Sequence, residues 1–370
     1  GNLKKKGGVG YMMEQLELNE ILRGVKGERM FPPQAYPGTK TNTRGATYIS
    51  RTPYGNFAVS MLPAGQFTHG HIYFVAEVPQ KLDIDVYVIH ATYQFGDGRA
   101  GQAVGKMQRM KEHGLWLIEE DPYYEEGKYL TYSSVVPQWV ENHTITGINR
   151  HMVTAKYHFQ SIRNALALAR SLGRILVLPR FECHCDRHWT PIVPACIMAN
   201  SDLKLPFFCP MDHLFEVLKW TKAGVEFREP GFLESPRFLA SSDTSRAFVL
   251  TEGSPRAVIG GMDDADKTIN WKPHASDAEA KARIEEAGLD KMRVLEFSTT
   301  YDAFCGFENV NDSYDFNQLV TGHKTIHMNR GGGILNSLSW CCENKDPGGY
   351  KPGPKEFSMP EPFSAKSCKK

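Results

Sequence analysis

No stretch of this chain stays apolar for the ~20 residues that a membrane-spanning helix needs, and nothing in it reads as a signal peptide. The first residue is Gly1 rather than methionine, so the chain is read as a fragment or trimmed form, with a membrane anchor or targeting segment lost upstream. Net charge is almost absent, +1 at pH 7, which removes any global attraction to nucleic acid or to a membrane surface. No aspartate occurs before Asp83, and no Walker sequence, HExxH pair, triad order or internal repeat occurs anywhere. These absences exclude P-loop nucleotide hydrolysis, zincin chemistry and a solenoid. What is present is 41% hydrophobic and 23% charged residues in a chain of 370, enough for one large core or two ordinary ones.

The most informative stretch is IDVYVIHATYQFGDGRAGQAVGKMQRMK, residues 84–111. An apolar β-branched run ends in His90. Gly96, Gly98, Gly101 and Gly105 follow, then Lys106, Arg109 and Lys111. Two readings fit. In one, an imidazole ligates a divalent cation, glycines let backbone N–H groups approach phosphate oxygens, and lysine and arginine supply a point charge and a planar fork. In the other, the same residues are a buried strand, a surface loop and the solvated start of a basic helix. Asp83-Ile84-Asp85 reads as a strand-entry pair, because Asp85 would lie roughly 16 Å from His90 along an extended strand at ~3.3 Å per residue.

The pattern along the chain predicts an α/β protein. MMEQLELNEILRG gives a short helix ending near Gly24, and FAVSMLP at 57–63, HIYFVAEV at 71–78 and 84–95 give strands. Residues 102–114 are helical. Residues 126–150 read as a connector between a first domain (1–125) and a second (151–340), followed by an irregular tail, 341–370. Phe159, Ile162, Leu166 and Ala169 share one helix face, Gly173 closes that helix, and ILVLP at 175–179 is a short buried strand of the parallel kind. The 181–210 stretch reads as loop over that strand's carboxyl end, and MDHLFEVLKW as a short helix with Asp212 as its cap. Ser276 and Glu279 form a capping box for a helix closing near Gly288, and VLEFS at 294–298 is the next strand.

Eight cysteines and two Asn-X-Ser/Thr triplets, at Asn142 and Asn311, lean toward an oxidising, glycosylating lumen. The Cys183-His184-Cys185 run, with His188, Cys196 and Cys209, invites a zinc reading. One-residue spacing strains both thiolates onto one metal, and disulfides suit a lumen better. Asp186-Arg187 reads as a structural ion pair, and GHKTIHMNRGGGI at 322–334 as a surface loop.

Several of these segments resemble the plant and green-algal arabinosyltransferases of glycosyltransferase family 77. The resemblance rests on VIHATYQFGDG…GKMQRMKE, on Glu14-Gln15 followed by Asn19, on HFQSIRNALALARSLGRILVLPRFECHCDRHW, on FFCPMDH at 207–213, and on VLEFSTTYDAFCGF and ILNSLSWCC. It implies the carboxyl-terminal part of a GT-A-like nucleotide-sugar domain followed by a Rossmann-like α/β domain. It further implies that His90 is a metal ligand, that Lys106 and Arg109, with Gly96 and Gly105, meet the diphosphate, and that Glu14 and Gln15 face the donor sugar. By the same resemblance Cys183 pairs with Cys209.

The implied reaction is retaining transfer of arabinofuranose, or another pentose or hexose, from a UDP-sugar to hydroxyproline-linked arabinosides of cell-wall glycoproteins. The implied cofactor is Mn2+ or Mg2+. The implied location is the Golgi lumen, with the full-length form a type II membrane protein. An Asp-X-Asp metal motif is expected upstream of Gly1. Two other readings stand beside this one. The 158–189 segment also resembles O-fucosyltransferase-like enzymes, which implies a metal-independent GDP-fucose-type transferase acting around Arg163. The absent Asp-X-Asp suits a non-catalytic carbohydrate-binding wall protein.

Overall fold

The computed structural model describes residues 49–51, 58–60, 62–96, 98–141, 145–189, 203–254, 265–323, 325–326, 338–342, 361–364 and 367–368. Among the described residues no helix is long and apolar enough to cross a membrane. The predicted helix with Glu14 and Gln15, the Asn142 triplet and most of the 322–334 glycine run lie outside the described residues.

Contacts divide the chain into two compact units, one of Gly1–His69 with Pro79–His90 and one of Gly70–Val78 with Ala91–Lys370. In the first, β1 (Ile49–Arg51) pairs antiparallel with β2 (Ala58–Ser60). There too, β3 (Phe67–His69) pairs parallel with β4 (Val88–His90), in the register Phe67↔Val88, Thr68↔Ile89, His69↔His90. The long strand expected through residues 84–95 is only 3 residues, because left-handed Asp83 (φ 51°) and Tyr93 (φ 64°) break the extended chain on either side.

The second unit opens with α1 (Gly70–Phe74), where the sequence pattern predicts a strand. His71, Ile72 and Phe74 are all buried, and a short run apolar on every side fits a buried helix as well as a strand. Then come α2 (Gly98–Glu112), β5 (Tyr129–Tyr132), α3 (Gly147–Ser171) and β6 (Ile175–Val177). Three short strands follow, β7 (Phe181–Cys183), β8 (Cys185–Trp189) and β9 (Phe207–Cys209). The expected single helix at 211–220 is two, α4 (Met211–Leu214) and α5 (Val217–Lys222). Further along are β10 (Phe227–Arg228), β11 (Arg246–Thr251), β12 (Lys267–Trp271), β13 (Ala275–Ser276), α6 (Asp277–Glu286), β14 (Val294–Phe297), β15 (Phe304–Gly306) and β16 (Leu338–Cys342), among shorter or peripheral helices such as Val310–Asn317.

A six-stranded sheet, ordered β10-β6-β5-β14-β11-β12 and parallel throughout, is the centre of this unit, as the α/β pattern predicts. The inner strands β5, β14 and β11 are mostly buried, whereas the edge strand β12 is polar and largely exposed. The α3 helix buries Phe159, Ile162, Leu166, Leu168 and Ala169, and each such Leu or Phe contributes about 1.5–3 kcal/mol relative to exposure. Gly173 (φ 61°) ends it as the pattern predicts, and Arg174 turns its guanidinium onto the carbonyls of Tyr129, Leu289 and Met292 at the entry to the sheet. The Ser276 capping box forms in full. The expected 126–150 connector contains β5, which is paired on both sides with β6 and β14. That segment is a central strand rather than a linker, and α2 belongs to the same unit as the sheet. Polarity of the flanking residues hid the strand, since only Tyr129, Leu130 and Tyr132 are buried.

Disulfides fasten the loops at the sheet's carboxyl side. Cys183–Cys209 joins β7 to β9, as the resemblance implied, and Cys185–Cys342 joins β8 to β16. The zinc alternative is excluded for these thiolates because each is bonded to another sulfur. The end of the chain is not wholly irregular: Phe363 is buried against Phe304 and Phe316, and Cys368 is bonded to Cys305.

Candidate functional site

The residues of the 84–111 stretch fall into two settings. In the first unit, His90 is exposed at the end of β4, and its in-register neighbour across the parallel pair is His69. Burial alternates along both strands, with Thr68 and Ile89 the more buried members and both histidines on the other face. Sequence reasoning missed His69; the signal available was a histidine closing FTH just before Gly70. Two imidazoles on one strand face are nitrogen donors for a divalent cation. Among the described residues no group of three or more His, Cys, Asp or Glu converges.

In the second unit, the glycines serve close packing. A Cβ on Gly96 would stand 2.4 Å from the Gly101 carbonyl, and one on Gly105 would stand 3.0 Å from the Phe95 carbonyl. Gly96 and Gly105 are buried, so the expected phosphate cradle is a self-packed turn laid against α2. Lys106 is half-buried on α2. Arg109, expected at the diphosphate, is instead 1% exposed, with Nε donating to both Asp212 oxygens at 2.9 and 3.1 Å. Its partner lies 103 residues away, which no local pattern reveals.

Around this ion pair runs a buried polar network. The Phe95 N–H donates to Asp212 Oδ2 at 2.7 Å. Burial opposes ionisation of Asp212, yet Arg109, His213 and the Phe95 N–H outweigh it and hold its carboxyl below the usual range. The expected helix-cap role for Asp212 is not observed: α4 has Pro210 at its N-cap, and Asp212 points to α2 instead. Arg109 Nη2 lies 3.4 Å from His213 Nδ1, which can only accept from it, so His213 Nε2–H donates to Asp186 Oδ1 at 3.2 Å. His71 Nε2 meets Asp186 Oδ2 at 2.7 Å. Asp186 thus serves two histidines. Arg187, its expected ion-pair partner, sends Nη1 to the His213 carbonyl at 3.0 Å and stacks over Phe95, 4.6 Å from the ring centre. Separate motifs, at 70–71, 94–109, 186–187 and 212–213, meet in this one cluster.

The cluster borders a cavity at the carboxyl side of the sheet, where ligands of parallel α/β sheets commonly bind. Arg180, following β6, and Glu112 and His113, at the end of α2, are among the residues lining it. Burial pushes the Glu112 carboxyl up to about 8, although Gln108 and the Met211 N–H donate to it. Sequence reading passed over both residues; an acid and a histidine ending a helix look like any solvated end.

Arg163, the centre of the GDP-fucose alternative, is buried on α3. Its guanidinium donates to Asn164 Oδ1 and the Glu361 carbonyl and stacks 4.3 Å over Phe363. It holds the C-terminal segment of its own chain.

The chain is similar to "Arabinosyltransferase XEG113" of Arabidopsis thaliana, with 29% identity over 306 residues. The aligned part is 80% of this chain and 44% of that relative, so the chain spans less than half the relative's length. No family model matches the chain. No solved structure matches it either. The resemblance to the plant family-77 arabinosyltransferases, first read from short motifs, thus extends over most of this sequence.

Proposed function

We propose that the chain is part of a glycosyltransferase that moves arabinofuranose, or another pentose or hexose, from a UDP-sugar to hydroxyproline-linked arabinosides of cell-wall glycoproteins, with retention at the anomeric carbon. The observation that carries this reading is the similarity over 80% of the chain to a plant arabinosyltransferase. Disulfides within the chain suit a secretory compartment such as the Golgi lumen, with an anchor supplied by the longer protein. In this reading the first unit completes a GT-A-like donor domain and the parallel sheet belongs to a second, Rossmann-like domain.

His90, with His69 beside it, would hold the divalent cation. Two imidazoles favour Mn2+ over the harder Mg2+, and oxygens of the diphosphate would supply the donors that both cations prefer. Bound there, the cation would neutralise charge on the departing diphosphate. Lys106 lies in the second unit, half-buried on α2. Gly96 and Gly105 let the residues up to Gly96 pack tightly on α2, and Arg109, tied to Asp212, fixes the helix that carries Lys106. Glu14 or Gln15 would face the donor sugar.

Calorimetric titration of UDP, with and without Mn2+, tests the reading. Binding that requires Mn2+ and disappears in His90→Ala is expected. Absence of UDP binding under both conditions would overturn it for this chain.

A further inference from the structure

The Val310–Asn317 helix carries one of the two Asn-X-Ser/Thr triplets, Asn311-Asp312-Ser313, in its first turn. We propose that Asn311 is a modification site and carries an N-linked oligosaccharide on its side-chain amide. The proposal rests on the secretory part of the reading above and not on its donor or acceptor.

The packing of the helix decides which way Asn311 faces. Ser313 and Phe316 are its buried residues, and Phe316 is held against Phe307 and Phe363. Successive side chains of a helix are about 100° apart, which sets Asn311 about 200° round from Ser313 and about 140° from Phe316. It therefore sits on the outer face, and it is exposed. Its backbone N–H donates to Asn309 Oδ1 at 2.8 Å, and its side-chain amide has no hydrogen-bond partner among the described residues. A bulky, hydrated group fits there without displacing the core.

The surroundings of Asn311 point the same way. Val310 is 68% exposed and Tyr314 62% exposed, unusual for apolar side chains of this size. At i and i+4 they lie side by side on one flank of Asn311. An aromatic ring and a branched aliphatic group form a surface that the C–H face of a first sugar covers. Close by in sequence, Cys305 is bonded to Cys368, which places this part of the chain in an oxidising compartment, where such triplets are read.

Transfer precedes folding of the helix. In the folded chain the Ser313 hydroxyl is buried and donates to the Phe307 carbonyl at 3.3 Å, so the triplet is open to an enzyme only before the helix packs. The co-reactant is an oligosaccharide linked to a lipid diphosphate. The bond from its anomeric carbon to the diphosphate breaks and one from that carbon to Asn311 Nδ2 forms. The lipid diphosphate leaves with the bonding electron pair, and the amide gives up one proton.

The test directs the chain into the secretory pathway of cultured plant cells with an added signal peptide, in an Asn142→Gln background that removes the other triplet. Disulfide-bonded protein is purified, and its glycans are released by a peptide amidase in heavy-oxygen water. The expected result is a single downward mobility shift on release, with the label on residue 311, and loss of both in Asn311→Gln and in Ser313→Ala. Asn311 faces solvent, so its variant should form Cys305–Cys368 as the parent does. An unlabelled Asn311 in disulfide-bonded protein, or a shift that persists in Asn311→Gln, would overturn the proposal. Calorimetry of UDP with Mn2+ on the same samples separates the two readings. UDP binding with a bare Asn311 sinks the modification site alone, and a glycan at Asn311 without UDP binding sinks the transferase reading alone.

Discussion

One stretch of sequence supplies two regions with opposite physical roles. His90 closes a short exposed strand of the first unit, beside His69. A few residues later Phe95, Gly96, Gly105 and Arg109 are buried in the second unit, where Asp212 takes both the Arg109 guanidinium and the Phe95 N–H. Histidine, glycine and arginine all suit a nucleotide-sugar site by residue type. Burial separates them: His90 is exposed, whereas the arginine is a buried structural cation whose removal or unpairing strains the fold.

Asp212→Asn breaks that comparison most severely. It leaves the Arg109 charge buried without its counterion, and a loss of about 3–5 kcal/mol is expected in chemical denaturation. Next, Cys183→Ser with Cys209→Ser should cost about 3 kcal/mol, because the bond closes a loop of 26 residues in the unfolded chain. Gly96→Ala should cost about 1–3 kcal/mol, since its Cβ collides with the Gly101 carbonyl. His90→Ala, at an exposed strand end, should change stability by no more than about 0.5 kcal/mol.

The buried region also predicts a dependence of stability on pH. Burial, with His184 nearby, lowers His151 from the ordinary 6.5 to about 3, and burial lowers His158 to about 4. The unfolded chain binds protons at these rings before the folded chain does. Stability is thus complete above about 6.5 and is lost as pH falls from there through about 4. Melting temperatures recorded between pH 7 and pH 4 should fall in the wild type and fall less in His158→Leu, each curve taken relative to its own value at pH 7.

Much of the scaffold was legible in the sequence. The α3 face, Gly173, the β6 run, the Ser276 cap and β14 are all set by local periodicity and capping, and they form as the pattern predicts. The Cys183–Cys209 bond was legible only through resemblance. What was not legible depends on partners far along the chain. The 71–78 run is apolar enough for either helix or strand, and its burial decides. Tyr129–Tyr132 looked like connector because a short strand amid polar neighbours carries little pattern. Asp212 at a helix start reads as a cap until Arg109, more than a hundred residues earlier, claims it. His69 becomes significant only through strand register, and His113 only through a cavity formed by several segments.

The central claim is that the exposed half of the 84–111 stretch meets the donor while the buried half holds the fold. Its most direct test measures thermal unfolding and Mn2+-dependent UDP binding on the same His90→Ala sample. An unchanged melting temperature with binding lost is the predicted result. Wild-type UDP binding by His90→Ala, or a melting temperature as depressed as that of Asp212→Asn, would contradict it.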